Sequence, residues 1–573
     1  MKTKRFTESL LASVKNLSSA RYVRNPHVFD AIVRHTTQAS HAKIRVMDIT
    51  SEPAVEVMFW QECFANAEIS SIYAKPLRSA TPAFPPDTLT SATFGSQFWD
   101  DVAASSSPHL LVSDGTLGHY HQKELFDYLF PVLEPGGIFV LEHDRSEDHH
   151  VLLDHLEKVV SAGFLAQGDL SNRTDFLGYC ARNIEAIEFI AGAVIVRKRK
   201  FDQRKFVAMP LGEIASETST LDAPTAYLRT TPRVFGSKTI KQRTLNLLDA
   251  FKDVVPPAAQ IGRLTDAVVI EGGIVYTLDG RIVEESFINV SHVPRRGPFF
   301  RVGKGNLYVS EVPIEPRAIL SQHERVIVKQ TWDSNYGHWL VDTLPRVSNV
   351  LEVIEDAPIR YLLNGAASPE IQTLHSESLA LLGVAKDSID FVDRRPTLVE
   401  NAIYATPMTK PPFVKSHRAI SILEELARMI NREADNGLEY ASKIYITRNK
   451  YPRRNLLNEE LVLPYIRQAG YEVIVPEKLS LKEQILTFAS ATHVIGNMGA
   501  AFSNLSFSPP GVKVLMLATE LMVHDYFLDI VSHKRGEYWA LQGVATDSSA
   551  GIGSDFTIDL EQFKSVFEQF IQE

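Results

Sequence analysis

Between about residues 40 and 198, short apolar runs alternate with stretches of helical period. The runs KIRVMDI, ISSIYA, HLLVSD, GIFVLEHD and FIAGAVIVRKR are the predicted strands of an α/β layer with a largely parallel sheet. From about 199 to 240 the text turns polar and irregular (KRKFDQRK, SETSTLDAPT, RTTPR), without sustained apolar period, which predicts a linker or extended excursion. A second alternating region starts at about 262 and opens with a predicted hairpin, AVVIEGGIVYTLDGRIVEES, whose Gly-Gly and Asp-Gly pairs suit tight turns. The clearest rhythm follows: KIYITR strand, NEELVLPYIRQAG helix, YEVIVP strand, SLKEQILTFASA helix, THVIGN strand, AAFSNLSFS helix, VKVLML strand. Single helices between successive strands are what right-handed parallel crossovers need. This is a Rossmann-type half, and such sheets bind ligands beyond the carboxyl ends of their strands, here after Arg448, Pro476 and Asn497.

The rhythm divides the chain into a helical segment at 1–39, an α/β domain at 40–198, the excursion at 199–261, and two further α/β halves at 262–430 and 431–573. In the first segment Phe6, Leu10, Val14 and Leu17 fall on one helical stripe beside Lys2, Lys4 and Arg5. Such a helix packs against its own domain or lies on an anionic membrane face. Glu8 and Lys15 interrupt what a secretory signal would keep apolar, and no run reaches the roughly 18 residues of a membrane span.

Composition narrows the function classes. With 45% hydrophobic and 22% charged residues among 573, the chain is an ordinary multidomain globular protein. Lys plus Arg number 59 against 69 Asp plus Glu, a net charge of -10 that offers a nucleic acid no general attraction. Cys63 and Cys180 alone exclude a disulfide framework or thiolate zinc site and point to a cytoplasmic address.

Three clusters carry candidate chemistry. Lys443, Arg448, Lys450, Arg453 and Arg454 put five positive charges within twelve residues at a predicted ligand-binding strand end. The planar arginine fork suits phosphate oxygens, although a short basic run also suits a solvated face. In THVIGNMGAAFSN, small residues Gly499, Ala500 and Ala501 separate a strand from a helix, so backbone amides and the helix dipole face the same crevice. Neither GxxxxGK[ST] nor GxGxxG occurs there, which withdraws support from ATP hydrolysis and dehydrogenase chemistry. In WDSNYGHWLVDTLPR, His338, Asp342 and Arg346 recur every four residues on one side of a helix that Pro345 is expected to kink. Either His338 or Asp342 could take the proton of an attacking hydroxyl while the other orients it, or His338 could simply be satisfied in the core. No third metal ligand accompanies them.

NYGHWLVDTLPR resembles the NYxHWL-x-[ED]-x-LPR segment of glycosyltransferase family 61, whose members include bacterial capsular-polysaccharide transferases. KIYITRNKYPRRNLLNEEL, VPEKLSLKEQILTFASATHVIGNMGAAFSN and SPPGVKVL are similar to the family's later segments, in order, over about 262–545. The resemblance implies a GT-B architecture of two Rossmann-like halves, inverting chemistry without an obligatory metal, and a nucleotide-sugar donor, UDP-linked by first choice. It implies acceptor-side Asn335, His338, Asp342 and Arg346, with Asp342 or His338 as base. It further implies donor-side Arg448, Arg453, Arg454, Glu477, Gln484, Asn497, Gly499, Ala500 and Asn504. Many members carry His before the Gly-Ala pair where this chain has Met498, which shifts phosphate binding onto backbone amides and Arg448.

LLVSDGTLGHYHQKELFDYLFPVLEPGGIFVLEHD is similar to the later half of a class I methyltransferase domain. KIRVMDITSEPAVEV lacks the glycines that approach S-adenosylmethionine, and ISSIYAKP lacks a terminal acid, so the front domain is expected to have lost its cofactor. Asp114, His119, Glu142, His143 and Asp144 could still line a polar cleft. The expected function is glycan extension in bacterial capsule or cell-surface polysaccharide synthesis, at the inner membrane face, on a glycan or lipid-linked glycan acceptor. The alternatives are a non-catalytic carbohydrate-binding assembly protein and a bifunctional glycosyl- and methyltransferase.

Overall fold

The computed structural model describes residues 26–573 except 37–42, 51–52, 65, 74–97, 99–100, 103, 114, 116–117, 143–149, 166–175, 224–225, 237–241, 243–253, 288–294, 297, 303–304, 311–313, 355–357, 411–413, 434–438, 449–452 and 523–525. The basic stripe of the first 17 residues lies outside the described residues. The chain forms two compact units, Met1–Met209 with Ser291–Glu315, and Pro210–Val290 with Pro316–Glu573.

The first unit holds a sheet of six strands, β1 (Arg45–Thr50), β2 (Glu68–Tyr73), β3 (Leu110–Ser113), β4 (Ile138–Glu142), β5 (Ile184–Ile190) and β6 (Ala193–Lys198), in the order β2-β1-β3-β4-β6-β5. The first four are parallel, as their apolar runs predict, and buried on both faces by helices such as Pro53–Cys63 and Gly118–Leu129. The fifth predicted run is not one strand: FIAGAVIVRKR turns at Gly192 (φ 92°), and β5 and β6 pair antiparallel. A glycine that accepts positive φ breaks a run that apolar pattern alone reads as continuous. Residues 295–310 return to this unit as short strands beside Lys205–Met209.

Among the described residues the second unit contains two large sheets and a two-stranded ribbon of Thr409–Lys410 and Val414–Lys415. In the first, the predicted hairpin leads from β7 (Gln260–Val269) to Val275–Thr277 and Arg281–Val283, and β7 pairs antiparallel with β11 (Thr397–Ala405). From β11 the sheet continues in parallel through β8 (Arg325–Ile327), β9 (Arg360–Asn364) and β10 (Ile389–Val392). The second sheet runs β13 (Glu472–Ile474), β12 (Lys443–Ile446), β14 (His493–Asn497), β15 (Lys513–Thr519), β16 (Glu537–Ala545), all parallel. The order two-one-three-four-five is a doubly wound sheet whose switch point lies between β12 and β14. One apolar core joins both sheets, from Val326 and Trp339 to Val494 and Met516.

The expected excursion also contributes strands. Glu217–Thr220 pairs with β7 and Arg233–Phe235 lies parallel to β16, where Arg233 and Phe235 flank Trp539. These strands of three or four residues are too short and polar for a period-two signal, and their neighbours define them. Both cysteines are buried and neither is in a disulfide. No described helix is long and apolar enough to cross a membrane.

Candidate functional site

His338 and Asp342 meet on a distorted helix. Asn335 caps its start, its Oδ1 accepting from Gly337 N at 2.9 Å and His338 N at 3.4 Å. Trp339–Thr343 then winds as a π-turn before the α-helix Leu344–Val353 resumes. Pro345 has no N–H to donate one turn back, so the turn before it widens rather than breaking. The expected kink is therefore a local swelling, and it leaves His338 Nδ1 2.7 Å from Asp342 Oδ2.

Asp342 is nearly buried and fully engaged. Its other oxygen accepts from Thr409 Oγ1 at 2.7 Å and from Tyr526 OH at 3.1 Å. Burial pushes its carboxyl up, but His338, the buried Lys415 and Thr409 outweigh that and hold it below the usual carboxylate range. Lys415 places its ammonium 3.5 Å over the Tyr526 ring and donates to Tyr526 O at 3.1 Å. An ionised carboxylate can only accept, so His338 carries its proton on Nδ1 and presents Nε2 as an acceptor. The imidazole keeps 29% of its side-chain surface and lies between Trp332 at 5.0 Å and Tyr526 at 5.4 Å, centroid to centroid.

Arg346 does not join this pair. Its side chain is buried against Tyr404, with Nε donating to Ala405 O at 2.7 Å, Nη1 to Gln330 Oε1 at 2.9 Å and Val328 O at 3.2 Å, and Nη2 to Ile327 O at 3.2 Å. Four buried acceptors spend its donors, so it ties the helix to strand ends instead of contacting an acceptor. The four-residue spacing places Arg346 beside Asp342 only on an unbroken α-helix, and the π-turn removes that relation.

The second cluster sits at the β12/β14 switch point. Gly499 lies so close to Arg448 that a Cβ there would stand 1.9 Å from Nη1. Arg454, in a left-handed conformation (φ 63°), has its guanidinium pushed down to about 10 by burial and by the charges of Arg448 and Arg453. Among the described residues its Nε is buried without a hydrogen-bond partner, as is Oδ1 of Asn497, whose Nδ2 donates to Arg454 O at 2.7 Å. Three mutually repelling arginines with an unsatisfied donor make a site that an anion would relieve. Lys443 opens β12 at its other end, over Tyr471, and is not part of the cluster. Lys450 lies outside the described residues.

The remaining donor-side candidates separate. Ala500 opens the 3-10 helix Ala500–Phe507 and is half-buried, and Glu477 is exposed on the turn after β13. Asn504 is wholly buried, accepting from Tyr336 OH at 2.5 Å and donating to Gln484 Oε1 at 3.0 Å. Asn504 and Tyr336 thus link the two halves, and Gln484 holds Asn504 from within its own half. Met498 is buried in the shared core. Sequence reasoning missed Thr409, Lys415, Tyr526 and Trp332, and only WDSNYGHW carried a signal, an aromatic six residues before His338.

In the first unit Glu142 is buried at the end of β4, where its backbone carbonyl accepts from Gln122. Asp114, His143, Asp144 and the His119 side chain lie outside the described residues. Asp48 on β1 is buried and accepts from Trp60 Nε1 at 2.6 Å.

Residues 336–515 match the family model described as glycosyltransferase 61, so the resemblance drawn from NYGHWLVDTLPR holds over that segment. No curated protein matches the chain. Among solved structures, a MycE methyltransferase from the mycinamycin biosynthetic pathway, in complex with Mg and SAH, is 22% identical over 32% of this chain and 48% of its own, with a TM-score of 0.23. The same enzyme with Mg, SAH and mycinamycin VI is 17% identical over 29% and 48%, with a TM-score of 0.21. The chain spans about half the length of these structures, and scores this low carry no argument about activity.

Proposed function

We propose that the chain is an inverting, metal-independent glycosyltransferase that moves a sugar from a nucleotide-sugar to a glycan acceptor. The observation that carries the reading is the trio Arg448, Arg453 and Arg454 at the switch point, with an unsatisfied guanidinium N–H, in the same unit as an imidazole held by an ionised carboxylate. In the proposed step His338 Nε2 takes the proton of an acceptor hydroxyl as its oxygen attacks the anomeric carbon. The bond from that carbon to the diphosphate oxygen breaks, and the electron pair leaves with the nucleotide. The arginines and the amides after Gly499 offset the developing charge, the role a cation would otherwise play. Asp342 is the orienting group and His338 the base, because the carboxylate already accepts three hydrogen bonds and the imidazole, with 29% of its side-chain surface exposed, has its second nitrogen left for an acceptor.

A cell-surface polysaccharide acceptor, and a front domain that presents acceptor without binding S-adenosylmethionine, complete the proposal. The test is a binding screen of the full chain against UDP-, GDP-, dTDP- and CMP-sugars and S-adenosylmethionine, repeated with Arg448→Ala. Saturable binding of one nucleotide-sugar, lost in the variant, is the expected result. Binding of S-adenosylmethionine alone would overturn the reading.

A further inference from the structure

Trp332 stands out among the described tryptophans. Trp60, Trp339 and Trp539 are at most 1% exposed, whereas Trp332 is 44% exposed. It also adopts φ 68°, a conformation costly to a bulky side chain and kept only where the surroundings enforce it. The enforcement is visible. The turn is pinned by Asp333, which accepts from Gln330 N at 3.1 Å and Asn364 Nδ2 at 2.7 Å, by Thr331 Oγ1 on Gly272 O at 2.9 Å, and by Asn335 N on Trp332 O at 2.8 Å. Gln330 is itself held by Arg346 and by Thr343 Oγ1. The result of this bracing is an indole 5.0 Å from the His338 ring. A core contact needs neither the exposure nor the strain.

We propose that Trp332 is the platform for the acceptor sugar: its exposed indole stacks on the apolar C–H face of a pyranose ring and brings one ring hydroxyl to His338 Nε2. The inference rests on the transferase reading and deepens it. An aromatic face is electron-rich and sheds water readily, and the C–H bonds on one face of a pyranose carry partial positive charge, so the two attract without fixing hydroxyl identity. Hydroxyl choice then falls to the position of the base. The ligand class is a neutral glycan terminus with one unsubstituted C–H face.

The test uses Trp332→Ala, Trp332→Phe and Trp332→Gly in the full chain, with two readouts: glycan binding without donor, followed by calorimetry against a panel of pyranose oligosaccharides, and transfer kinetics. Trp332→Ala should weaken glycan affinity and raise the acceptor KM by about tenfold, leave donor affinity unchanged, and be largely rescued by Phe. Trp332→Gly should melt no lower than Trp332→Ala, since glycine accepts the positive φ, yet bind glycan equally poorly. Glycan affinity that survives Trp332→Ala, or that is absent from the wild type, overturns the platform. So does a loss confined to kcat with a displaced pH profile, which would make Trp332 a positioning residue for His338. Failure of every nucleotide-sugar to bind the wild type would instead count against the transferase reading.

Discussion

Asp342→Asn separates an orienting carboxylate from a base. Asp342 takes three hydrogen bonds, one from His338 Nδ1 and two from the hydroxyls of Thr409 and Tyr526. An amide offers one oxygen and one N–H₂. With the N–H₂ toward His338, Nδ1 must become the acceptor, the ring proton moves to Nε2, and the base is lost. With the N–H₂ toward Thr409 and Tyr526, two buried hydroxyls face a donor and must turn away. The first arrangement keeps all three contacts, whereas the second turns two buried hydroxyls away at a cost of about 1–3 kcal/mol, so the first prevails. The wrong tautomer costs general-base catalysis about 10²- to 10⁴-fold in kcat. Sugar transfer measured by nucleotide release, with donor affinity from calorimetry, is the assay. The expected outcome is a kcat loss of that size with donor affinity within about twofold. Retention of more than about a third of wild-type kcat would refute the division of labour, since the tautomer argument allows no such residue.

Gly499→Ala puts a methyl where Arg448 Nη1 now lies, and because the obstructing atom ends a flexible side chain, folding should survive while donor affinity falls about tenfold or more; calorimetry with unchanged melting checks both halves. Arg346→Met should cost several kcal/mol of stability, read by chemical denaturation, because four buried acceptors lose their donor; a folded variant with only a raised acceptor KM would restore Arg346 to the acceptor side. His375, buried and stacked on Trp339, donates through Nε2 to Asp333 O, and burial pushes it down to about 4. A buried neutral histidine binds fewer protons folded than unfolded, so stability is lost as pH falls from about 6.5 toward 4, with about 2 kcal/mol gone at pH 5 from this group; His375→Asn should flatten that part of the melting-temperature profile.

The doubly wound half was legible almost strand by strand, because each parallel strand is buried on both faces and writes a continuous apolar run, while each crossover helix writes its own period. Positions set by local chain were legible too. Arg448 and Gly499 follow strand ends and Asn497 closes a strand, and the switch-point rule brings strand ends together. The front sheet was legible except where Gly192 divides one apolar run into two strands. Partners far apart in sequence were not legible. Thr409 and Tyr526 reach Asp342 from 67 and 184 residues away, and no period or motif encodes such a meeting.

That distance has a functional meaning of its own. Asp342 belongs to the half that carries His338, and Tyr526 to the helix Tyr526–His533 that follows β15 in the arginine-bearing half. Beneath Tyr526, Lys415 is held by Asp529, which accepts from Lys415 N at 2.8 Å, from Arg229 Nε at 3.2 Å and from the Tyr227 hydroxyl. Residues 227 and 229 come from the polar stretch read as an excursion, so that stretch buttresses the carboxylate through Asp529, Lys415 and Tyr526. On the proposed reading, His338 is therefore oriented through contacts that come from both halves and from the excursion. Tyr526→Phe removes one hydroxyl from that chain and leaves the ring against Lys415 and His338, so it should lower kcat severalfold while donor affinity and the arginine cluster stay intact. An unchanged kcat in Tyr526→Phe, with Thr409→Val equally silent, would mean that His338 alone fixes the carboxylate and that the link between the halves carries stability only.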